Sequence, residues 1–420
     1  MFVCFTGYGM PESNNIMEFD VAIIGAGPAG CTTSLGLAGS GLSVALIDKS
    51  EIPCDKVCGD ALSGTVMNVL KRLPGECFRD FLALPGILPS HGIRFFSPGG
   101  SFLDVPFRKE QEKGPAPGYT CRRKVFDGFL VSRLSGSGNI HIFPGCRVDR
   151  IAINDGGVVI LSTDHSFRAK IVVGADGVHG ITAKTFAGKH QKRYSMGIRA
   201  YFRNVRDLHP MNFIELHFLR EFLPGYLWIF PMTEGIANVG LGVLRSRDKQ
   251  KDESLAAQLH RLLHEHPLLS YRFAGAVMTG KPEAHGIPPG PDPKPLSGNR
   301  FLLAGDAASL VDPFTGEGIG NAMVSGEIAA EVIKAAFSEN DFSPGFLCQY
   351  DEKITRRLFP ELKTSERIQQ LAGSPALFNF VVKKALRKEG IRNLLTEMYI
   401  SEKARSGLTK PWFYMRLLLS

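Results

Sequence analysis

A short apolar run, a glycine-rich turn directly behind it and a second glycine turn about 280 residues later constrain this chain more than any other feature. Residues 19–24 are mostly apolar and β-branched, as a buried parallel strand requires. The turn that follows reads Gly25-Ala26-Gly27-Pro28-Ala29-Gly30 and opens a helical stretch. In such a turn Gly25 permits the tight reversal, Gly27 lets the backbone approach a pyrophosphate, and Gly30 lets the helix pack closely on the strand. Ala29 belongs to the same cofactor-facing turn. The helix then offers free N–H groups and a positive dipole end to phosphates. A second strand at 43–47 ends in Asp48, 23 residues beyond Gly25, about where a ribose hydroxyl needs an acceptor. Strand, turn, helix, strand and acid in register predict an α/β dinucleotide-binding domain. The turn alone does not tell one dinucleotide from another.

A chain of 420 residues can bury a large core and hold two or three domains. Its 44% hydrophobic content suits a soluble globular protein, and no apolar stretch reaches the roughly 20 residues of a membrane span. The first sixteen residues lack a basic start and a continuous apolar centre, so they read as a flexible extension, not a signal peptide. Eight cysteines are scattered without paired spacing, which suggests reduced thiols and a cytoplasmic setting. Cys54 and Cys58 form C-x3-C, but no second ligand pair is near, so no metal site is expected; a disulfide between them has no independent support. The net charge of +8 is uneven: residues 351–420 carry 14 Lys/Arg against 7 Asp/Glu. No nucleic-acid motif accompanies this basic end, so nucleic acid is not an expected partner. Residues 377–388 and 412–419 mix apolar side chains with Lys383, Lys384, Arg387, Lys388 and Trp412. They read either as a peripheral contact at the inner membrane face or as a helical subdomain with a solvated basic surface.

Further motifs narrow the reading. Lys56-Val57-Cys58-Gly59-Asp60-Ala61-Leu62-Ser63 follows the second strand, Arg123-Lys124-Val125-Phe126-Asp127 has the form R-x-x-F-D, and Gly174-Ala175-Asp176-Gly177 follows a strand at 170–173. Pro224-Gly225-Tyr226-Leu227-Trp228-Ile229-Phe230-Pro231 comes next, and Gly305-Asp306-Ala307-Ala308 precedes Asp312-Pro313-Phe314-Thr315-Gly316-Glu317-Gly318-Ile319. Together these resemble the flavoprotein group that contains para-hydroxybenzoate hydroxylase, and within it the geranylgeranyl reductase family, over residues 17–336. The resemblance implies an α/β fold: a Rossmann-type, three-layer ββα FAD-binding domain, an inserted antiparallel substrate domain and a C-terminal helical region. The expected boundaries are 17–90, 115–190 and 281–345 for the FAD domain, 91–114 and 191–280 for the substrate domain, and 346–420 for the helical region.

By the same resemblance Arg123 would approach the FAD pyrophosphate or ribitol, Asp176 would lie at the sheet edge by the cofactor, and Asp306 would accept from a ribitol hydroxyl. Gly305 and Gly316 belong to the same cofactor-binding set. Gly318 and Ile319 would open a helix over 318–330 whose N–H groups face the flavin C2 carbonyl. Pro313 would sit at the flavin edge that exchanges hydride. Arg123 also reads as a surface arginine, Asp306 as a helix cap and Asp176 as a turn residue. Cys58 would line the substrate cavity, either as a low-pKa thiol that hands a proton to carbon or as a small packing residue.

Strands are expected at 199–203, 212–218, 226–230 and 236–243, with Tyr226, Trp228 and Phe230 on one face as a wall for a long apolar substrate. Six prolines within 280–300 suggest an extended connector. The leading reading is an FAD-dependent reductase of C=C bonds in a hydrophobic, prenyl-type substrate. Without a second dinucleotide fingerprint, electrons come from NAD(P)H visiting the flavin directly or from a ferredoxin-like donor. The runner-up is an FAD monooxygenase acting on an aromatic or polyketide substrate, on the same scaffold. A halogenase fits less well: Tyr226 and Phe230 break the W-x-W-x-I-P pattern, and Lys71 is a poor match for its lysine. From another class, a non-redox flavin protein conflicts with the complete cofactor motifs.

Overall fold

The structure, a computed structural model, describes residues 16–108, 113–154, 156–188, 194–245, 253–292, 294–388 and 390. The N-terminal extension before Ile16 and the aromatic segment at 412–419 lie outside the described residues. Two large sheets and a three-stranded ribbon organise the rest.

The strand Ile16–Ile24 runs three residues longer at its start than the sequence suggested and is the centre of an eight-stranded sheet. It pairs in parallel with Val44–Ile47 on one side and Ser166–Gly174 on the other, with Ile23 opposite Leu46 and Val173. Val21, Ala22, Ile23 and all of Val44–Ile47 are sealed from solvent, which is why both strands are purely apolar where they meet. Ile140–Phe143 and Phe301–Leu303 extend the parallel run at either side. The helices Pro28–Leu37 and Ile319–Glu339 lie against each other through small residues. A Cβ on Gly36 would come within 2.6 Å of the Ala330 methyl, and one on Gly326 within 2.5 Å of the Ala29 carbonyl oxygen. The second of these helices, expected to end near residue 330, continues to Glu339 and closes on Asn340 in the left-handed conformation.

The seven-stranded sheet takes its strands in the order Val277–Ile287, Tyr194–Arg203, Ile236–Arg245, Tyr226–Pro231, Ile214–His217, Gly92–Phe96 and Phe102–Pro106. Its neighbours are antiparallel except for Ile214–His217 against Gly92–Phe96. Alternation sorts its two faces. Leu227 and Ile229 join a core under the helix Leu255–Glu265, while Trp228 and Phe230 join an aromatic cluster that also takes Val382 and Ala385 from the helix Pro375–Arg387. The stretch 280–300 is not wholly a connector: up to Ile287 it is an edge strand paired to Tyr194–Arg203. An edge tolerates Pro282, because a missing N–H facing solvent costs no ladder bond. The ribbon Ala61–Leu62, Gly118–Cys121 and Ile87–Ser90 carries the segment after Cys58 between the two sheets.

Candidate active site

A cavity of about 1450 Å³ runs between the two sheets, beyond the roughly 300–1,000 Å³ of an ordinary ligand pocket. At one end stands the turn at Gly25–Gly30. Gly25 has φ +107°, and a Cβ on it would lie 2.2 Å from the Ala175 carbonyl oxygen. A Cβ on Gly30 would lie 1.8 Å from the oxygen of Gly25 itself. At Gly27 a Cβ would meet only the Lys56 ammonium, at 3.2 Å, so this face of the turn is open to the cavity. The helix Pro28–Leu37 starts there with no side-chain cap, its first N–H groups unclaimed by Gly27. Asp48 lines the same end, and its carboxylate accepts from the Ala26 N–H at 2.7 Å and the Ser50 N–H at 2.9 Å. It thereby shapes the turn and keeps further lone pairs for a hydroxyl.

Arg123 is buried, not on the surface, and its guanidinium forms a two-point pair with Asp127 at 2.9 and 2.8 Å. Burial opposes the charge, but Asp127 and the neighbouring Cys58 hold the guanidinium firmly protonated. Lys56 approaches the same Asp127 at 3.7 Å. Asp176 lines the cavity, while its carboxylate is turned to the Thr182 hydroxyl and N–H, capping the helix Ile181–Phe186. This contact is that of a turn residue.

The second glycine turn lies across the cavity. Gly305 has φ +60° and its N–H donates to the Ser325 hydroxyl at 2.9 Å. Lys294 braces the turn from the connector, donating to the Ala307 carbonyl and the Ser309 hydroxyl, both at 2.9 Å. The Asp306 carboxylate faces the cavity and accepts no hydrogen bond among the described residues; burial pushes it above the usual carboxylate range despite Arg123 and Lys56. The loop after it is folded around Asp312, whose carboxylate accepts from the Phe314 and Thr315 N–H groups at 2.9 and 2.8 Å. Pro313, Gly316, Gly318 and Ile319 all line the cavity. Gly318 leads into the helix Ile319–Glu339 without a side-chain cap, leaving its N-terminal N–H groups directed at the cavity. The open face at Gly27, this uncapped helix and the unpartnered Asp306 together fit an FAD spanning the two turns.

Between the turns stands the apolar wall. Tyr226, Trp228 and Phe230 all line the cavity. The Tyr226 hydroxyl donates to the Thr315 carbonyl, tying the wall to the second turn. The Trp228 indole N–H donates to Asn238 at 2.9 Å, and Phe230 packs on Gly59. Cys58 lines the cavity beside this wall, with its sulfur accepting from the Asp60 N–H at 3.3 Å and in contact with Arg123. Of the two readings of Cys58, the low-pKa one finds no support here: burial pushes the thiol up, and the Arg123 charge does not offset it. Cys54 is also a free thiol, so the two form no disulfide.

Several site residues escaped the sequence reading. Lys56, Asp127, Asp60, Asn238, Lys294, Asp312 and Gln369, which donates to the Pro313 carbonyl, make their contacts here with partners far away in the chain or on a neighbouring turn. Only Lys56, Asp60, Asp127 and Asp312 stood inside motifs that had been picked out. Lys71, weighed for a halogenase, is exposed on the helix Gly64–Arg72 over the Phe78 ring and lines no part of the cavity. Among the described residues there is no metal-binding cluster, and no helix is long and apolar enough to cross a membrane.

Comparison with known proteins agrees with this geometry. The FAD binding domain family matches residues 18–353. Digeranylgeranylglycerophospholipid reductase 2 of Methanopyrus kandleri is 33% identical over 347 residues, covering 80% of this chain and 82% of its own. The digeranylgeranylglycerophospholipid reductase of Methanocaldococcus jannaschii is 32% identical over 383 residues, covering 86% and 89%. A geranylgeranyl bacteriochlorophyll reductase-like protein of Thermoplasma acidophilum superposes with a TM-score of 0.77 at 24% identity, over 94% of this chain and 99% of that one. A flavin-dependent brominase shares the fold at a TM-score of 0.71 and 22% identity, over 90% and 93%.

Proposed function

The chain belongs to the FAD-binding geranylgeranyl reductase family, and from that premise we propose that it hydrogenates isolated C=C bonds in the prenyl chains of a polyprenyl lipid. It is an FAD-dependent oxidoreductase. Relatives named for digeranylgeranylglycerophospholipid support the substrate class. The observation that carries the reading is the apolar wall Tyr226, Trp228 and Phe230 with the Cys58 thiol beside it, in one cavity that also holds both glycine turns.

Bound FAD, once reduced, supplies hydride to one carbon of the alkene. The protein's residues do the rest. The turn at Gly25, Gly27, Ala29 and Gly30 and the helix behind it would receive the pyrophosphate, with Lys56 beside Gly27, and Arg123 would approach the pyrophosphate or the ribitol. Asp48 takes a ribose hydroxyl and Asp306 a ribitol hydroxyl, the latter supplying the partner its carboxylate lacks. The N-terminus of Ile319–Glu339 would offer its N–H groups to the negative charge that a reduced flavin carries. Asp176 closes the neighbouring turn. The aromatic wall orients the prenyl chain and excludes water, and Pro313 would stand by the edge of the flavin that exchanges hydride. Cys58 keeps its proton at neutral pH because burial disfavours the thiolate, and it delivers that proton from Sγ to the second carbon; Arg123 then lies beside the thiolate that forms.

The electron donor is NAD(P)H meeting the flavin directly or a ferredoxin-like protein; bleaching of the visible flavin absorbance under anaerobic conditions by one and not the other identifies it. Reach to a membrane-borne substrate is given by the helix Pro375–Arg387. Its buried side joins the cavity wall, while Lys383, Leu386 and Arg387, with Lys388 just beyond it, are exposed. This is the arrangement of a basic, partly apolar surface on an anionic leaflet. Reversing Lys383, Arg387 and Lys388 to Glu is expected to weaken binding to anionic vesicles at low salt, with flavin content unchanged; equal binding would leave the helix a plain subdomain. The test of the function is the mass of a prenyl glycerophospholipid after incubation with the reduced protein. Gain of one H2 per double bond is expected, whereas gain of an oxygen atom would favour the monooxygenase.

A further inference from the structure

Cys58, Gly59 and Ala61 face the cavity, but Asp60 between them does not. Its φ is +63°, a conformation that costs a non-glycine residue energy and is kept only where the surroundings enforce it. The turn drives the carboxylate away from solvent altogether. There it accepts from the Tyr201 hydroxyl at 2.6 Å, from the Asn238 amide at 2.8 Å and from the Arg123 N–H at 3.3 Å. Asn238 does more than satisfy Asp60. Its amide nitrogen also donates to the Cys58 carbonyl at 2.8 Å, and its oxygen accepts the Trp228 indole N–H at 2.9 Å. One carboxylate and one amide therefore join the Cys58 loop, the start of the helix Arg123–Ser132 and the Trp228 wall.

We propose that Asp60 is a positioning residue for the reduction: its ionised carboxylate, through Asn238 and Tyr201, holds the Cys58 thiol and the Trp228 indole in one fixed frame at the cavity wall, and protonation loosens that frame. As an anion it gives acceptors to three donors. Once protonated, one oxygen carries a hydrogen, so at least one of the three bonds it accepts must be given up or, at the Tyr201 hydroxyl, reversed.

The surroundings make this protonation reachable. On its own loop lie Cys58 and, further off, Asp55. Cys121 comes from the ribbon, and Arg123, paired to Asp127, from its helix. From the strand Tyr194–Arg203 come Tyr201 and Arg199. Arg199 and Arg122 both sit over the Tyr201 ring, at 4.4 and 4.8 Å, and Arg199 also pairs with Asp55 and Glu283. Burial raises Asp60, the bonds from Tyr201 and Asn238 and the charges of Arg199 and Arg123 oppose it, and the group ends pushed up to about 6. The frame is thus set above that pH and released below it. This role in turnover rests on the proposed function, but the frame itself does not.

The chain has two tryptophans, so Trp412→Phe leaves Trp228 as its only indole. In that background the indole emission of the holoprotein is expected to change with a midpoint near pH 6. Adding Asp60→Asn should abolish the transition, keep FAD content and lower kcat about 10- to 100-fold with a smaller change in KM, as misplacement of reacting groups does. Adding Tyr201→Phe should move the midpoint upward, because a donor that favours the anion is gone, and should carry the acid limb of kcat with it. This second variant keeps the test decisive if Asp60→Asn does not fold. A transition that survives Asp60→Asn, or a Tyr201→Phe variant with the parent's midpoint and acid limb, overturns the proposal. A transition that follows Asp60 in a protein unable to reduce prenyl lipid would uphold the frame and sink the proposed function instead.

Discussion

At the scale of single residues, Gly27 and Gly30 separate two reasons for a glycine that look the same in the motif. A side chain at Gly30 collides with the backbone of Gly25, whereas one at Gly27 projects into the cavity toward the movable end of Lys56. Gly30→Ala is therefore expected to destabilise the fold by about 3 kcal/mol. Gly27→Val should leave the unfolding temperature of the flavin-free protein nearly unchanged and abolish FAD retention. A Gly27→Val protein purified fully yellow would contradict the assignment of the turn. Cys58→Ser is expected to keep flavin and slow turnover by about 100-fold or more, the usual worth of a positioned acid; unchanged turnover would make Cys58 a packing residue. The spacing of the first turn pointed to its glycines, and the family resemblance pointed to Asp306 and Cys58. The contacts of Asp60 and Asn238 were not legible, since their partners lie up to 180 residues apart and meet only when the sheets fold together.

At the scale of elements, the strand Ile214–His217 shows how alternation feeds both sides of the second sheet. Ile214 and Leu216 face the cavity, while Glu215 and His217 are buried on the other face with Arg272. Arg272 holds both Glu215 oxygens, one at 3.0 Å, and His217 stacks on Phe96 with ring centres 4.0 Å apart. Burial acts to raise Glu215, but its bonds to His217 and Arg272 prevail and keep it below the usual carboxylate range. Burial lowers His217 from 6.5, so it is neutral in the fold. Both shifts have the same sign for stability: the contribution is complete above about pH 6.5, begins to fall as unfolded histidine charges, and falls further as acid reaches Glu215. The share of stability that this pair contributes should therefore shrink from pH 7 to pH 4, while the raised Asp60 acts in the opposite sense below pH 6. Glu215→Gln should cost about 3–5 kcal/mol at pH 7, because it strands a buried Arg272, and should flatten the acid limb. An unfolding curve that is the same with and without Glu215 would refute this. Strong period-two segments such as Tyr226–Pro231 were readable in advance. The edge strand Val277–Ile287 was hidden because prolines and Gly280 mimic a connector, and nothing local says that a neighbouring strand will accept its ladder.

At the scale of the whole molecule, the cavity between the sheets unites two glycine turns that the sequence keeps about 280 residues apart. That union follows from the crossing of the helices Pro28–Leu37 and Ile319–Glu339 on small residues, and it was legible as soon as both turns were seen to serve one cofactor. The same scaffold serves reductases and a brominase, so the fold does not choose the chemistry. The choice rests on what meets the reduced flavin, and it is tested directly by reducing the holoprotein without oxygen and mixing it in a stopped-flow absorbance instrument, once with a prenyl glycerophospholipid and once with oxygenated buffer. Reoxidation by the lipid, with featureless reoxidation by oxygen, is the result this account requires. A persistent oxygen adduct of the flavin, with no reoxidation by the lipid, would contradict it.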